Sequence, residues 1–321
     1  MTPHGKNINS FSVRVLNPQT DFPLLAILAS AIEAVDQAGN DTQEDSLRAA
    51  TWKTRWVVEN PTDPEQFIGH GWISMQSPTR AYLYLAVHPA WRRVGVGRLL
   101  LEYGLGSGRP PEVEEVVVPV TAANKAGEAF LREHGFQPAG HNRILTTQGG
   151  ITFADPQWPR DYMVRNYVEI DDPYILVEAH NRCYSDHWGH YENSQILTVE
   201  KLAEWMKEYP LAFIPEGIFL LFAPDGDLAG LSYGRLSEST DSQGNRTRIV
   251  DSPGVAPFYR YLQLYRPLAL HTIQWLKSQG EGPLELHCFG EDEETVEIYR
   301  SLGFDLAEVN DSVDWVKKLN P

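Results

Sequence analysis

Apolar and polar positions in the first part of the chain follow two distinct periods. A period of two residues predicts half-buried strands, and a spacing of three to four residues predicts amphipathic helices. The strand pattern covers residues 11–16, 54–60, 66–75, 80–87 and 114–120. The helical pattern covers residues 21–35, 98–106 and 124–136. Residues 36–46 are polar and predict an exposed loop. The alternation of the two patterns predicts an α/β unit.

The same order of patterns returns in the second part of the chain. Strands are predicted over residues 161–170, 246–255 and 283–289, with a hairpin over 217–236. Helices are predicted over residues 172–185, 197–209, 268–278 and 292–304. Residues 145–160 lose the periodicity and are rich in Gly and Pro, which predicts a linker. We therefore expect two domains, residues 1–150 and 151–321, each of mixed α/β (α+β) type.

Two matched pairs of residues give the repeat a fixed register. Val87 begins the stretch VHPAWRR and Val255 begins VAPFYRY, a separation of 255 − 87 = 168 residues. Phe136 ends LREHGF and Phe304 ends YRSLGF, again 304 − 136 = 168 residues apart. Chance explains one such pair more easily than two pairs at one offset. The sequence therefore predicts a tandem repeat of one α/β unit.

Composition narrows the class of protein. The chain has 321 residues, more than one core usually supports, and its hydrophobic fraction of 42% is ordinary for a globular protein. Its net charge is 27 − 43 = −16, which argues against general binding to nucleic acid or to an anionic membrane. No membrane span or secretory signal is recognisable, so we expect a cytoplasmic protein. Cys183 and Cys288 lack metal-ligand spacing, and Cys288 is expected to be buried.

The stretch HPAWRRVGVGRLL, residues 88–100, lies between a predicted strand and a predicted helix. At that position the free N–H groups and the positive end of the helix dipole favour an anion. Gly95 and Gly97 permit a close approach of the backbone to a pyrophosphate, and Arg92 and Arg93 can add charge-assisted hydrogen bonds. The stretch therefore predicts a phosphate-binding loop. The alternative is a tight turn with exposed arginines.

The repeat of this loop, residues 256–268, has side chains where the first copy has glycines. Gln263 replaces Gly95, and Tyr265 replaces Gly97. These side chains are expected to fill the space of a pyrophosphate, and a positive φ at either residue would cost about 1 kcal/mol or more. The first half is therefore the expected phosphate-binding half.

The loop and its neighbours resemble the GNAT acetyltransferase superfamily. The family's acetyl-CoA loop has the form Arg/Gln-x-x-Gly-x-Gly/Ala, which residues 92–97 match. The stretch LYLAVHP resembles the family's splayed strand, and NKAGEAFLREHGF resembles its later helix. The tandem layout resembles two-domain acetyltransferases of the mycothiol synthase type. The resemblance implies two tandem domains, each with a mixed, mostly antiparallel central sheet, splayed strands and flanking helices.

The resemblance also implies a co-substrate and its binding residues. The co-substrate is acetyl-CoA, and the amides of Leu85 and Val87 are expected to polarise its thioester. The residues expected to hold acetyl-CoA are Leu85, Ala86, Val87, Arg92, Arg93, Val94, Gly95, Val96, Gly97, Arg98 and Asn124.

Acetyl transfer to an amine needs a base for the ammonium, donors for the thioester oxygen and an acid for the leaving thiolate. The resemblance places a Tyr acid in a Tyr-x-x-x-Gly-Phe motif, where Tyr299 stands in the second half and Leu131 in the first. Asp251 lies on the second-half strand where a base is expected, whereas residues 80–87 contain no carboxylate. The alternatives are core packing for Tyr299 and turn formation for Asp251.

The stretch SDHWGHY contains a cluster of functional side chains, Asp186, His187, Trp188, His190 and Tyr191. Such a cluster can line an acceptor pocket or hold a metal, and the alternative is a helix end with Trp188 buried. The spacing matches no common metal-ligand motif, so no metal is expected.

Together these observations predict an N-acetyltransferase that transfers the acetyl group of acetyl-CoA to the amine of a small molecule. A second enzyme hypothesis places catalysis in the second half despite its altered loop. A non-catalytic acyl-CoA-binding or scaffolding protein is the alternative from another class, because each half lacks one expected feature. A monomer or homodimer is expected, with neither nucleic acid nor membrane as a partner.

Overall fold

The computed structural model describes residues 11–36, 42–50, 53–147, 151–187, 196–290 and 292–319. The strands are β1 (Val13–Val15), β2 (Thr54–Asn60), β3 (Asp63–Met75), β4 (Arg80–Val87), β5 (Glu115–Thr121), β6 (Gln137–Thr147), β7 (Met163–Asn166), β8 (Ile218–Phe222), β9 (Leu228–Thr240), β10 (Arg246–Val255), β11 (Leu284–Phe289), β12 (Phe304–Asp305) and β13 (Asp311–Lys318). The helices are α1 (Phe22–Asp36), α2 (Glu44–Ala49), α3 (Val96–Leu105), α4 (Lys125–Glu133), α5 (Tyr167–Ile170), α6 (Pro173–Cys183), α7 (Val199–Glu208), α8 (Tyr265–Ser278) and α9 (Glu293–Arg300).

The chain forms two compact units. Unit 1 comprises Met1–Val120, Asn124–Pro138 and Asp314–Pro321, and unit 2 comprises Thr121–Ala123 and Ala139–Val313. The last segment of the chain therefore belongs to unit 1, and most of β6 belongs to unit 2. Among the described residues, no helix has the length and apolar character needed to cross a bilayer.

The sheet of unit 1 has the strand order β1-β2-β3-β4-β5-β13. The first four strands pair antiparallel, and β4 pairs parallel with β5. The parallel pairing extends from Arg80 opposite Glu115 to Tyr82 opposite Val117. Both strands continue beyond these pairs, so β4 and β5 splay apart towards Val87.

Helices cover both faces of the unit 1 sheet. Helix α1 buries Leu25, Leu28 and Ile32 against Val57 and Phe67. Helix α3 packs on the opposite face, where a Cβ atom on Gly69 would meet Val96 Cγ1 at 2.8 Å. The absence of a side chain at this position lets α3 lie close to the sheet.

Unit 2 repeats this plan with the strand order β6-β11-β10-β9-β8-β7, and β12 pairs with β6. Its pairs are antiparallel except β10 with β11, which run parallel from Arg248 opposite Leu284 to Asp251 opposite His287. The core includes Tyr299 and both cysteines, and Cys288 is 4% exposed. The predicted mixed, mostly antiparallel fold is therefore confirmed, as is the burial of Cys288.

Two local predictions are wrong because side chains redirect the backbone. The strand expected over 161–170 ends at Asn166, whose side-chain oxygen accepts a hydrogen bond from the Glu169 N–H at 3.0 Å and starts the short helix α5. The exposed loop expected over 36–46 is interrupted by α2, which begins at Glu44 and buries Leu47.

Strands β6 and β13 were not predicted, and the linker expected over 145–160 starts inside β6. The sequence of β6 looks polar, yet Arg143 is buried with its charge paired to Glu293 and Asp311. His141 Nδ1 also lies 3.0 Å from Asp311 Oδ1. Because these polar side chains are satisfied inside unit 2, a hydrophobicity pattern misses the strand.

Candidate functional site

The loop between β4 and α3 has the backbone geometry of an anion site. Its Gly95 precedes the first turn of α3 with a φ of 97°, a left-handed conformation that a side chain would strain. The first N–H groups of α3, from Val96 onwards, lie at the helix N-terminus, where no carbonyl of the same helix can accept from them. The loop therefore presents donors and the positive end of the helix dipole at one place.

Arg92 is held by the protein itself. Its Nε donates to the Val87 carbonyl at 3.1 Å, and its two terminal nitrogens donate to the Asp36 carboxylate at 2.9 and 2.7 Å. Arg98 Nε lies 3.7 Å from Glu102 Oε1. Arg93 is exposed and, among the described residues, forms no ion pair. Arg93 is thus the loop arginine whose charge is most available to a ligand.

The splayed end of β4 presents two amides to the gap beside it. The His88 N–H donates to the Ile68 carbonyl of β3 at 2.9 Å. Because N–H groups alternate in direction along a strand, the Leu85 and Val87 N–H groups point away from β3. The Val87 carbonyl points the same way and accepts from Arg92. An extended ligand in the gap would meet these groups as a neighbouring strand does.

The second loop keeps the backbone conformation of the first without its glycine. Gln263 has a φ of 54°, so the strain expected at this position is present. Arg260 repeats the contacts of Arg92, because its Nε donates to the Val255 carbonyl at 3.1 Å and its guanidinium pairs with Asp186. This pairing lowers the pKa of the Asp186 carboxyl. Tyr265 is buried, 9% exposed, in the core of unit 2.

A cavity of about 490 Å³ lies in unit 2 beside the splay of β10 and β11. Its lining residues are Asn142, Arg143, Ile144, His180, Tyr184, His187, Trp205, Ala212, Phe213, Tyr233, Arg235, Asp251, Ser252, His287, Cys288 and Phe289. Aromatic rings form one part of the wall, where Trp205 and Phe213 stack with their centroids 5.6 Å apart. Burial, followed by the nearby Asp251 charge, raises the pKa of Tyr233 well above its usual value.

Asp251 is anchored in this cavity by a chain of polar contacts. Both of its carboxylate oxygens accept from Arg235 Nε, at 2.8 and 2.9 Å. Arg235 Nη2 lies 3.0 Å from His287 Nδ1, and His287 Nε2 lies 2.7 Å from Glu285 Oε2. Since a guanidinium only donates, His287 Nδ1 accepts, and its Nε2–H donates to Glu285. The network fixes the position of the Asp251 carboxylate at the wall of the cavity.

Tyr299 lies behind the cavity wall. It is fully buried, and its hydroxyl oxygen is 2.7 Å from Ser252 Oγ. Ser252 lines the cavity, and its carbonyl accepts a hydrogen bond from the Tyr184 hydroxyl at 2.8 Å. Ser252 therefore separates the Tyr299 hydroxyl from the cavity by one hydrogen bond.

A bulge in β10 turns Asp251 towards the cavity. Asp251 pairs with Tyr233 and Gly254 with Leu231, so two residues of β10 lie between pairs that are two apart on β9. In unit 1 only Leu85 lies between the corresponding residues, Tyr84 and Ala86. The constant offset of 168 aligns Asp251 with Leu83, whereas the bulge places it in the row of Tyr84.

The structure separates the members of the cluster SDHWGHY. His187 lines the unit 2 cavity, whereas Asp186 pairs with Arg260 at the loop. Trp188, His190 and Tyr191 lie outside the described residues. In the part of the chain that the structure describes, no group of three or more His, Cys, Asp or Glu side chains could hold a metal ion.

Comparisons with known proteins agree with this architecture. Residues 25–136 match the family described as acetyltransferase (GNAT) family. A mycothiol acetyltransferase of Sanguibacter keddieii is 24% identical, over 88% of this chain and 89% of the relative. A GCN5-related N-acetyltransferase from Sphaerobacter thermophilus has a TM-score of 0.71 at 18% identity, over 98% of both chains. A tandem GNAT protein from the clavulanic acid biosynthesis pathway has a TM-score of 0.58 at 17% identity, over 97% of this chain and 99% of that one.

This chain is a tandem GNAT acyltransferase. The family and fold that the sequence resembled are confirmed. In the first GNAT unit, Asn124 caps α4 by accepting a hydrogen bond from the Gly127 N–H at 2.9 Å. Leu131, at the position of the family's Tyr, is 2% exposed.

Sequence reasoning missed three polar residues of the second GNAT unit, Arg235, Ser252 and His287. Arg235 lies in the predicted hairpin and His287 in the apolar run LELHCF, so both look like strand positions without chemistry. The signal that could have found His287 is its place on the strand beside Asp251, at the point where the parallel pairing stops.

Proposed function

We propose that this GNAT protein transfers the acetyl group of acetyl-CoA to the amine of a small molecule, and that the loop of unit 1 holds the acetyl-CoA. One observation carries the proposal. Helix α3 begins at a left-handed Gly95 immediately beyond a strand whose Leu85 and Val87 amides face an open gap. The pyrophosphate would meet the helix N-terminus, and the pantetheine arm would run along the gap.

The expected binding residues divide into three groups under this proposal. Leu85, Ala86 and Val87 face the arm and the thioester, which the amides would polarise. Val94, Gly95, Val96 and Gly97 supply backbone donors, with Arg93 and Arg98 at their edge. Arg92 holds the loop in place through Asp36, and Asn124 lies at the start of α4.

Calorimetric titration with acetyl-CoA tests this site. Gly95→Gln copies Gln263 into the first loop and places a side chain where the anion approaches. We expect it to weaken binding at least about a hundredfold, since it removes several charge-assisted hydrogen bonds. Gly244→Gln is the matched control, because Gly244 also has a positive φ, 86°, and a Cβ atom added to it would meet no other atom within 4 Å. Unchanged binding in Gly95→Gln would remove the acetyl-CoA site from unit 1.

The acceptor is proposed to be a small molecule carrying an amine. The relatives named mycothiol acetyltransferase support a small-molecule acceptor. The unit 2 cavity supports the amine, because the Asp251 carboxylate in its wall attracts an ammonium group.

For proton transfer we propose Asp251 as the base and Tyr299 as the acid, acting through Ser252. Asp251 takes a proton from the ammonium, and the free amine attacks the thioester carbon. The carbon–sulfur bond then breaks, and the thiolate receives a proton that Tyr299 supplies by way of the Ser252 hydroxyl. This placement requires acetyl-CoA beside β10, although Tyr265 crowds the loop there.

Release of free thiol with a panel of amines tests the catalytic residues. We expect Asp251→Asn to lower turnover by at least about a hundredfold, because it removes the general base. Turnover that survives both Asp251→Asn and Tyr299→Phe but is lost in Gly95→Gln would move catalysis to unit 1. Tight binding of acetyl-CoA with no thiol release for any amine would instead identify a non-catalytic acyl-CoA-binding protein.

A further inference from the structure

Unit 1 has its own cavity, of about 150 Å³, between its sheet and helices α1 and α2. Two cross-strand rows form the sheet side of this cavity. Arg55, Trp72 and Tyr84 form the first row, and Val57, His70 and Ala86 form the second. Because side chains alternate across a strand, all six face the same side of the sheet.

Basic side chains dominate the polar lining of this unit 1 cavity. Arg55 is 6% exposed, its Nη2 donates to the Leu47 carbonyl at 3.1 Å, and its Nη1 lies 3.5 Å from His70 Nε2. Lys53 Nζ lies 4.2 Å from the centroid of the Trp72 ring. No carboxylate belongs to the cavity lining among the described residues. The cavity therefore has two cationic groups in its wall.

The aromatic and imidazole groups of the cavity carry no compensating charge. Burial, followed by the charges of Arg55 and Lys53, lowers the pKa of His70 to about 3, so His70 is neutral near neutral pH. Burial raises the pKa of Tyr84 to about 12, so its hydroxyl keeps its proton. A positive field thus reaches the interior of the cavity, and an ammonium group is disfavoured there.

Unit 2 shows that the fold does not need these charges. Its corresponding rows are Ile218, Tyr233 and Asp251, then Leu220, Leu231 and Gly254. Ile218 therefore takes the place of Arg55, and Leu231 takes the place of His70, and both are fully buried. Unit 2 presents a carboxylate in its cavity, whereas unit 1 presents cations. The two repeats have been specialised for ligands of opposite charge.

The cationic cavity adjoins the strand proposed to hold the thioester. Ala86 lines the cavity and lies between Leu85 and Val87, whose amides face the gap. His70 is directly opposite Ala86, one strand spacing of about 5 Å away. The Arg55 guanidinium reaches His70, so only a short acyl chain separates the thioester position from a cation.

We propose that unit 1 binds an acyl-CoA whose short acyl group ends in a carboxylate, and that Arg55 and Lys53 bind this carboxylate. The inference rests on the proposed function, which places acyl-CoA in the loop of unit 1. A guanidinium and an ammonium group bind carboxylates through charge-assisted hydrogen bonds, whereas an acetyl methyl group gains nothing from them. The same cations could take a free carboxylate anion, so the test separates the two sources.

Calorimetric titration of the full chain compares succinyl-CoA, butyryl-CoA and acetyl-CoA. Butyryl-CoA has the same acyl length as succinyl-CoA without the charge, so it separates size from charge. We expect succinyl-CoA to bind at least about tenfold more tightly than butyryl-CoA, the effect of one charge-assisted contact. Arg55→Ile, which copies Ile218, should reduce this ratio to about one and leave the acetyl-CoA affinity unchanged. That unchanged affinity also reports that the variant is folded.

Lys53→Met is the second variant, because Lys53 is half-buried and its replacement does not remove a core group. It should reduce the preference for succinyl-CoA by at least about threefold through the loss of one charge. Equal affinities for succinyl-CoA and butyryl-CoA in the wild type would overturn the inference. Tightening of acetyl-CoA binding by free succinate, dependent on Arg55 and without a preference for succinyl-CoA, would also overturn it in favour of a free anion.

Failure of the proposed function gives a different result. If acetyl-CoA and succinyl-CoA bind Gly95→Gln as they bind the wild type, acyl-CoA is not in unit 1 and the proposed function is wrong. If Gly95→Gln abolishes both and the wild type shows no preference for succinyl-CoA, only the carboxylate inference is wrong.

Discussion

Gln263 holds the left-handed backbone conformation that Gly95 holds in the other repeat, with φ values of 54° and 97°. Glycine adopts this conformation without steric cost, whereas glutamine bears strain. The turn is nevertheless kept in unit 2, because Arg260 ties it to the Val255 carbonyl as Arg92 ties the first loop to the Val87 carbonyl. The loop geometry has thus outlasted the glycine on which a phosphate site depends.

The different backbone demands of the two loops predict unequal effects on stability. Gly95→Ala should lower the free energy of unfolding by about 1 kcal/mol, because a Cβ atom strains the left-handed conformation. Gln263→Gly should change it by less than about 1 kcal/mol, since relief of strain is offset by a more flexible unfolded chain. Urea unfolding of both variants measures this. Gly97→Ala is the control, because its Cβ atom would meet Phe130 and Val87 only at ordinary distances of 3.7 and 3.8 Å. Equal effects of Gly95→Ala and Gly97→Ala would contradict the prediction.

The two neighbouring arginines of the first loop should differ in their effect on acetyl-CoA. Arg92 is paired with Asp36, whereas Arg93 is exposed. Arg93→Ala should weaken acetyl-CoA binding by about tenfold at low salt and by less at high salt, because the lost contact is a screened charge. The measurement is the dissociation constant at two ionic strengths. Arg160→Ala is the matched control, since the Arg160 side chain is 94% exposed and lies in unit 2. A salt-independent effect of Arg93→Ala would mean that the residue acts on the loop conformation instead.

The parts of the fold predicted correctly from the sequence are those decided by local patterns. The strand before Val87, the helix after Gly95 and the tandem register all depend on neighbouring residues, and each is present. Strand β6 escaped prediction because its Arg143 is buried by pairing with residues 150 and more positions away. Contacts at such separation leave no periodic signal near the strand.

The candidate site was predictable only where it depends on backbone conformation. The left-handed position at Gly95 could be read from the glycine itself, but the direction of the Asp251 side chain could not. The bulge that turns Asp251 to the cavity adds one residue to β10, and a constant offset of 168 cannot show it. Arg235 and His287 join Asp251 only through pairing between strands. These contacts needed the structure.

The buried pair of Tyr299 and Ser252 should show energetic coupling. Their hydroxyl oxygens are 2.7 Å apart, and both residues are buried. Tyr299→Phe and Ser252→Ala should each lower the free energy of unfolding by about 1 kcal/mol, because each leaves the other hydroxyl without this partner. The double variant should lose less than the sum of the two, with a coupling of about 1 kcal/mol. Denaturant unfolding of the four proteins gives this cycle. Strict additivity would show that the two hydroxyls do not bond to each other.

His70 should make the stability of the protein depend on pH. Its pKa is about 3 in the folded protein and about 6.5 when unfolded, because burial and the nearby charges of Arg55 and Lys53 oppose protonation. Between these values the unfolded chain binds the extra proton, so stability rises with pH and is lost as pH falls below about 6.5. From pH 7 to pH 5 the contribution of His70 should decrease by about 2 kcal/mol.

His70→Leu isolates this effect, because Leu231 already fills the corresponding position in unit 2. Other groups also titrate between pH 7 and pH 5, so the quantity to measure is the difference between wild type and His70→Leu in the free energy of unfolding. The variant should lose less stability than the wild type over this range, whatever its stability at pH 7. Identical pH dependence in the two proteins would show that His70 is protonated in the folded state, and the cavity of unit 1 would then carry a third positive charge.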